Sequence, residues 1–194
     1  MRRLPTACSF RDLRGKRTLI LGDVRTGKTR LTARLLEEAV GLGFSGMITV
    51  VDMAPETRAV EGRTIGGRLS ELTQAHAKVR YLSPPRVETP RLAATSAEEL
   101  LSLARLNVER IGPLLEAYSA APSPILFIND ISIYLQSGPV EAVLTAAEKA
   151  ETFIANGYYG GYFHRDYGTG VSRREREQMD LLASSMDMVI RLTS

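Results

Sequence analysis

The sequence predicts a three-layer α/β/α sandwich built on a mostly parallel β-sheet, and three observations carry that prediction. Short, wholly apolar runs recur along the chain at 18–21 (TLIL), 47–51 (MITVV) and 125–128 (ILFI). Strands buried on both faces read this way, whereas a sheet with one wet face alternates apolar and polar residues. Longer segments with helical apolar spacing separate the runs, and the order strand, helix, strand, helix belongs to parallel sheets covered on both sides. The length of 194 residues fits one domain over 1–194, at roughly 100–200 residues per domain.

The elements follow in order. After the strand at 18–21, Lys28 to Val40 reads as a helix, with Leu31, Leu35 and Ala39 on one face and Gly41 and Gly43 as stop signals. The strand at 47–51 closes at Asp52 and Pro55, and 54–76 shows no firm period, so it reads as loop with at most a short helix. Val79 to Leu82 predicts a short strand stopped by Ser83, Pro84 and Pro85. Ser96 with Glu99 forms a capping box that opens a helix toward Tyr118, with a bend expected at Gly112-Pro113. The strand at 125–128 ends in Asn129-Asp130. Pro139 suits the first turn of a helix over 139–154. The aromatic, glycine-rich 158–163 predicts a strand, Ser172 with Glu175 a second capping box and helix to Ser184, and 188–192 the last strand.

Composition removes several function classes. No run approaches the ~18 apolar residues of a membrane span, and the N-terminal MRRLPTACSFRDLRGKR has no apolar core of a secretory signal, so a cytoplasmic protein without membrane insertion is expected. Cys8 is the only cysteine, which excludes an internal disulfide and any Cys-based zinc cluster. Basic residues number 25 against 22 acidic, and 21 of the 25 are Arg. An excess of three charges is too small to make nucleic acid the main partner, which leaves it a minor candidate beside a protein partner or a second copy of the chain.

The informative stretch is Gly22-Asp23-Val24-Arg25-Thr26-Gly27-Lys28-Thr29. It matches G-x-x-x-x-G-K-[ST] and lies between a buried strand and an amphipathic helix, the context that this chemistry needs. The glycines let successive backbone N–H groups curl around an anion, and the helix opening at Lys28 adds its dipole. A nucleoside triphosphate is the natural guest: Lys28 places an ammonium on the β- and γ-phosphates, and the Thr29 hydroxyl is positioned to ligate Mg²⁺.

Here the sequence resembles the P-loop NTPase superfamily, whose Walker A motif it carries complete; the resemblance covers these eight residues and the α/β order. It implies a P-loop NTPase fold and a Walker B carboxylate at the end of an apolar strand, a part that Ile125-Leu126-Phe127-Ile128-Asn129-Asp130 fits. Members resembling RecA carry Asp-Glu there, the first for Mg²⁺ and the second to activate water, whereas this chain has Asn-Asp. Either Asp130 serves the metal with the base elsewhere, or Asn129 takes the metal slot and Asp130 polarises water. Asp52 and Glu56, beyond the second strand, are rival carboxylates for the base. No N-K-x-D guanine reader is present, which favours ATP. The spacing between Lys28 and Asp130 resembles RecA-like ATPases, and less closely the corrinoid adenosyltransferases and the thymidine kinases, whose zinc cysteines are missing here.

The segment 163–170 (FHRDYGTG) follows an expected strand, and the RecA-like resemblance makes His164 or Arg165 a γ-phosphate sensor. Arg173, Arg174 and Arg176 could offer an arginine finger but read more simply as a solvated helix face, and Arg25 starts beside the phosphates. The tyrosines at 158, 159, 162 and 167 read as packing residues rather than a base-stacking platform. The sequence thus points to a Mg²⁺-dependent ATP-binding protein that hydrolyses ATP with Lys28, Asp130, His164 and Arg165. The alternatives are an ATP-using transferase and a nucleotide-dependent switch or assembly protein.

Overall fold

The computed structural model describes residues 8–60 and 63–193. Along the chain run α1 (Phe10–Leu13), β1 (Arg17–Gly22), α2 (Lys28–Gly41), β2 (Ile48–Asp52), a short hairpin of β3 (Arg58–Val60) and β4 (Arg63–Ile65), and β5 (Arg80–Leu82). There follow α3 (Pro90–Ala93), α4 (Ala97–Ala120), β6 (Ile125–Asn129), α5 (Ser132–Leu135), α6 (Val140–Glu148), β7 (Thr152–Tyr158), α7 (Val171–Ser184) and β8 (Met188–Leu192). Six strands form one sheet in the order β5-β2-β6-β7-β1-β8, and every pairing within it is parallel.

The apolar runs are explained by two cores, one on each face of this sheet. Successive side chains of a strand point to opposite faces. Ile20, Val50, Phe127 and Ile154 accordingly join the core beneath α1 and α2, with Phe10, Leu31, Leu35 and Leu36. Leu21, Val51, Ile128 and Ala155 join the other, with Ile111 and Leu115 of α4, Val143 of α6 and Met179 of α7. The three-layer sandwich expected from the sequence is therefore the observed architecture.

Parallel strands put their C-terminal ends on one edge. The registers align Gly22 with Tyr158 and Leu192, and Asp52 with Asn129. The glycine loop, the carboxylates after β2 and β6, and the segment after β7 therefore all leave the sheet at the same edge, where ligands of open α/β sheets bind.

Three boundaries differ from the sequence reading. The helix expected over 139–154 stops at Glu148, and the strand expected at 158–163 instead ends there, as β7 spans Thr152–Tyr158, every position buried. An interior Asn156 disguises this strand, and the fold accommodates it because its amide donates to Thr32 Oγ1 and Asn129 Oδ1, both at 2.8 Å. The second capping box does not form: Gly170, at φ 76°, precedes α7, and Glu175 turns into the protein. The first behaves as expected at its N-cap, Ser96 Oγ accepting from the Glu99 amide at 3.1 Å, and α4 continues through Pro113 to Ala120.

Candidate active site

The loop after β1 is shaped by a few local constraints. A Cβ on Gly22 would meet the Leu192 carbonyl at 2.8 Å, and Gly27 sits at φ 93°, a conformation that costs other residues dearly. Arg25 also lies in the left-handed region, at φ 66°. The turn thus formed leaves the amides of residues 25–27 without an acceptor among the described residues, which is the state an anion cradle requires. The Asp23 carbonyl takes two donors, Thr26 Oγ1 at 2.9 Å and Lys28 Nζ at 2.7 Å. Burial holds the Lys28 ammonium below the usual lysine range, with Asp130 and then Asp23 opposing that shift.

Asp130 stands across from Lys28. Its backbone has positive φ, at 57°, a strain that Asp tolerates better than most residues and that clusters at functional sites. The kink has identifiable supports. The Asp130 amide donates to Asn156 Oδ1 at 3.1 Å, and Ser132 Oγ donates to Asp130 Oδ1 at 2.9 Å while accepting from the Tyr158 amide. Burial raises the Asp130 carboxyl, and the Ser132 hydrogen bond, Lys28 and Arg91 pull it back.

These groups share a cavity of about 860 Å³, lined by residues 24–30 and Leu192 together with Asp130, Ser132, Arg91 and Gln136. Among the described residues no group of three or more His, Cys, Asp or Glu side chains could hold a metal. Thr29 and Asp130 remain as hard oxygen donors at the loop. That set suits Mg²⁺, which keeps most of its waters and binds through one or two protein oxygens plus phosphate.

Several residues singled out from the sequence lie elsewhere. Asn129 does not offer its amide to a metal: it is fully buried, donates to Asp52 Oδ1 at 2.8 Å and the Gly67 carbonyl at 3.1 Å, and accepts from Asn156. Asp52 is equally buried, accepting from Tyr81, Leu69, Ala54 and Asn129. Glu56 is exposed and outside the cavity lining. His164 and Arg165 are not brought to the site: both are exposed, because β7 ends five residues earlier than Phe163 and that phenylalanine lines the cavity instead. Arg173, Arg174 and Arg176 are exposed on α7, and Arg174 and Arg176 hydrogen-bond backbone carbonyls of 137, 138 and 160.

The structure adds a cluster that the sequence did not suggest. Arg91 Nη2 reaches both oxygens of Glu175 at 2.9 and 2.7 Å, and Gln136 Nε2 donates to Glu175 Oε2 at 2.9 Å. Arg91 and Glu175 are 84 positions apart, so no local spacing could reveal the pair. Burial pushes the Glu175 carboxyl up to about 7, against the pull of Arg91 and Gln136. A raised carboxyl means that the folded state holds the proton more tightly than the unfolded chain, so Glu175 contributes most below its ordinary 4.5 and loses that contribution as pH rises to about 7. Denaturant titrations across this window should show wild-type stability falling with pH relative to a variant carrying Arg91→Met with Glu175→Gln. Parallel curves would mean that Glu175 is ionised throughout.

No family model and no curated protein matches the chain. Among solved structures it is similar to the flagellar accessory protein FlaH from Methanocaldococcus jannaschii, with a TM-score of 0.49 and 12% identity over 92% of this chain and 71% of that one. Among the described residues no helix is long and apolar enough to cross a membrane.

Proposed function

We propose that this protein binds a magnesium nucleoside triphosphate, ATP in preference to GTP, on the loop 22–29 and hydrolyses it. The observation that carries the reading is the meeting of Lys28 and Asp130 across one cavity, each acting on the charge of the other. Backbone amides of 25–27 cradle the phosphates, while the Val24 amide is held by the Asp23 carboxylate at 2.6 Å; Lys28 neutralises the β- and γ-oxygens, and Thr29 and Asp130 are the residues that would hold the metal. Magnesium bound there supplies further charge neutralisation on the phosphate oxygens. Positioning and electrostatics do most of the work in phosphoryl transfer, so these groups suffice for slow turnover.

The rest of the cavity lining supports a second reading. Pro55, Leu72, Pro90, Leu92, Ile133 and Phe163 add apolar side chains to it, which suit the body of a small acceptor in an ATP-using transferase.

Phosphate release from MgATP by the full chain tests the first reading. The wild type should turn over, and Asp130→Asn should lower the rate about tenfold or more and shift the half-saturating magnesium upward. Release without any Asp130 effect would remove that residue from the metal site. No release and no heat of binding would overturn the proposal, while ADP formed only with an added acceptor would establish the transferase.

A further inference from the structure

The proposed hydrolysis leaves the Arg91, Glu175 and Gln136 cluster without a task, although Arg91 and Gln136 line the cavity and all three side chains are buried. Stability does not account for it. Arg91 and Glu175 are 7% and 3% exposed, and at such burial desolvation offsets most of the attraction, so well-packed apolar residues often serve as well. The cluster even carries an unmet demand: Gln136 Oε1 is buried without a partner among the described residues, a cost of about 1–3 kcal/mol. The fold keeps the Gln136 amide nitrogen on Glu175 despite that.

What the arrangement does achieve is a fixed guanidinium. Glu175 occupies only Nη2, and rings of Tyr158 and Phe163 face the Arg91 group at 5.3 and 4.9 Å. Nη1 has only a long contact of 3.5 Å to Ser172 Oγ, and no partner of Nε is found among the described residues. The free edge therefore belongs to a side chain that cannot swing away, in the wall of the cavity that holds Lys28.

Strand order indicates which part of a ligand would meet it. β8, which brings Leu192 to the cavity, flanks β1 on one side. β7, β6, β2 and β5 lie on the other, and α3 follows β5. A triphosphate seated on the loop with its terminal phosphate between Lys28 and Asp130 would meet Arg91 on the Asp130 side, because the Arg91 guanidinium lies against Tyr158 at the end of β7, the strand between β1 and β6, and lines the same cavity. We propose that Arg91 is a second cationic contact for the terminal phosphate, with Glu175 and Gln136 as the residues that position it. The inference rests on the nucleotide reading above. The flat fork of Arg complements the point charge of Lys28, since it can engage two phosphate oxygens together. Arg25, Arg173, Arg174 and Arg176 are exposed, whereas Arg91 is held by the buried Glu175.

Calorimetric titration of the full chain with MgATP and MgADP tests this. Arg91→Met with Glu175→Gln removes both charges and keeps the volume, so no buried carboxylate is stranded. It should weaken MgATP binding tenfold or more and leave MgADP within twofold. Arg91→Lys, which keeps the Glu175 partner but lacks the fork, should fall between that variant and the wild type, and covers the case in which the double variant does not fold. An unchanged ATP-to-ADP affinity ratio in these variants, or equal losses for both nucleotides, would overturn the assignment. A wild type that binds neither nucleotide would instead overturn the parent reading, and that result appears before any variant is made.

Discussion

Lys28→Ala is expected to lower MgATP affinity by about 10²-fold or more and to bring phosphate release to background. The size of the effect follows from the surroundings. Burial already disfavours the Lys28 ammonium in the free protein, which among the described residues hydrogen-bonds the Asp23 carbonyl alone. A charge held in so little water acts on a phosphate with a far smaller effective dielectric than a surface lysine does. The same partial desolvation means that the free protein gains little from the residue, so the melting temperature of the variant should stay within a few degrees of wild type. Calorimetry, phosphate release and a thermal melt on one preparation check all three statements. Wild-type affinity in a folded Ala variant would mean that the loop does not cradle phosphate.

The turn between β1 and α2 was legible because its parts are consecutive: the Gly22 and Gly27 positions, the Lys28 opening of α2 and the apolar β1 are all local patterns. Asp130 was legible for a related reason, as the first residue beyond a wholly buried strand. Other features depend on partners far along the chain. Asn156 and Gly157 read against a strand, yet β7 runs through both, since Thr32 and Asn129 satisfy the Asn156 amide and Met179 with Ile131 closes over Gly157. Glu175 sits three residues after Ser172 and reads as a helix cap, while the left-handed Gly170 sets the true start of α7 and leaves Glu175 free for Arg91. His164 and Arg165 drew attention through a strand end that the structure places at Tyr158.

Asp52 stood in the sequence as a rival to Asp130 for the base, each following an apolar strand, and their variants should separate them. Asp52 accepts from the Leu69 amide and Tyr81 hydroxyl at 2.6 Å, Asn129 Nδ2 at 2.8 Å and the Ala54 amide at 3.1 Å. Through Asn129 and Asn156 this network reaches Thr32, whose hydroxyl donates to the Lys28 carbonyl at 3.0 Å. It ties the ends of β2, β6 and β7 beneath the helix that opens the cradle. Asp52→Ala strands three buried donors and the half-buried Tyr81 hydroxyl at about 1–3 kcal/mol each, and even with some rescue by water the loss should reach about 4 kcal/mol or more in denaturant titration. A carboxylate whose oxygens are committed to four donors has little capacity left to take a proton from an attacking water. Asp52→Asn keeps the shape and disturbs fewer partners, so its turnover below the melting transition should stay within about threefold of wild type. A hundredfold loss of turnover in Asp52→Asn, with its melting curve unmoved, would return Asp52 to the position of general base and confine Asp130 to the metal.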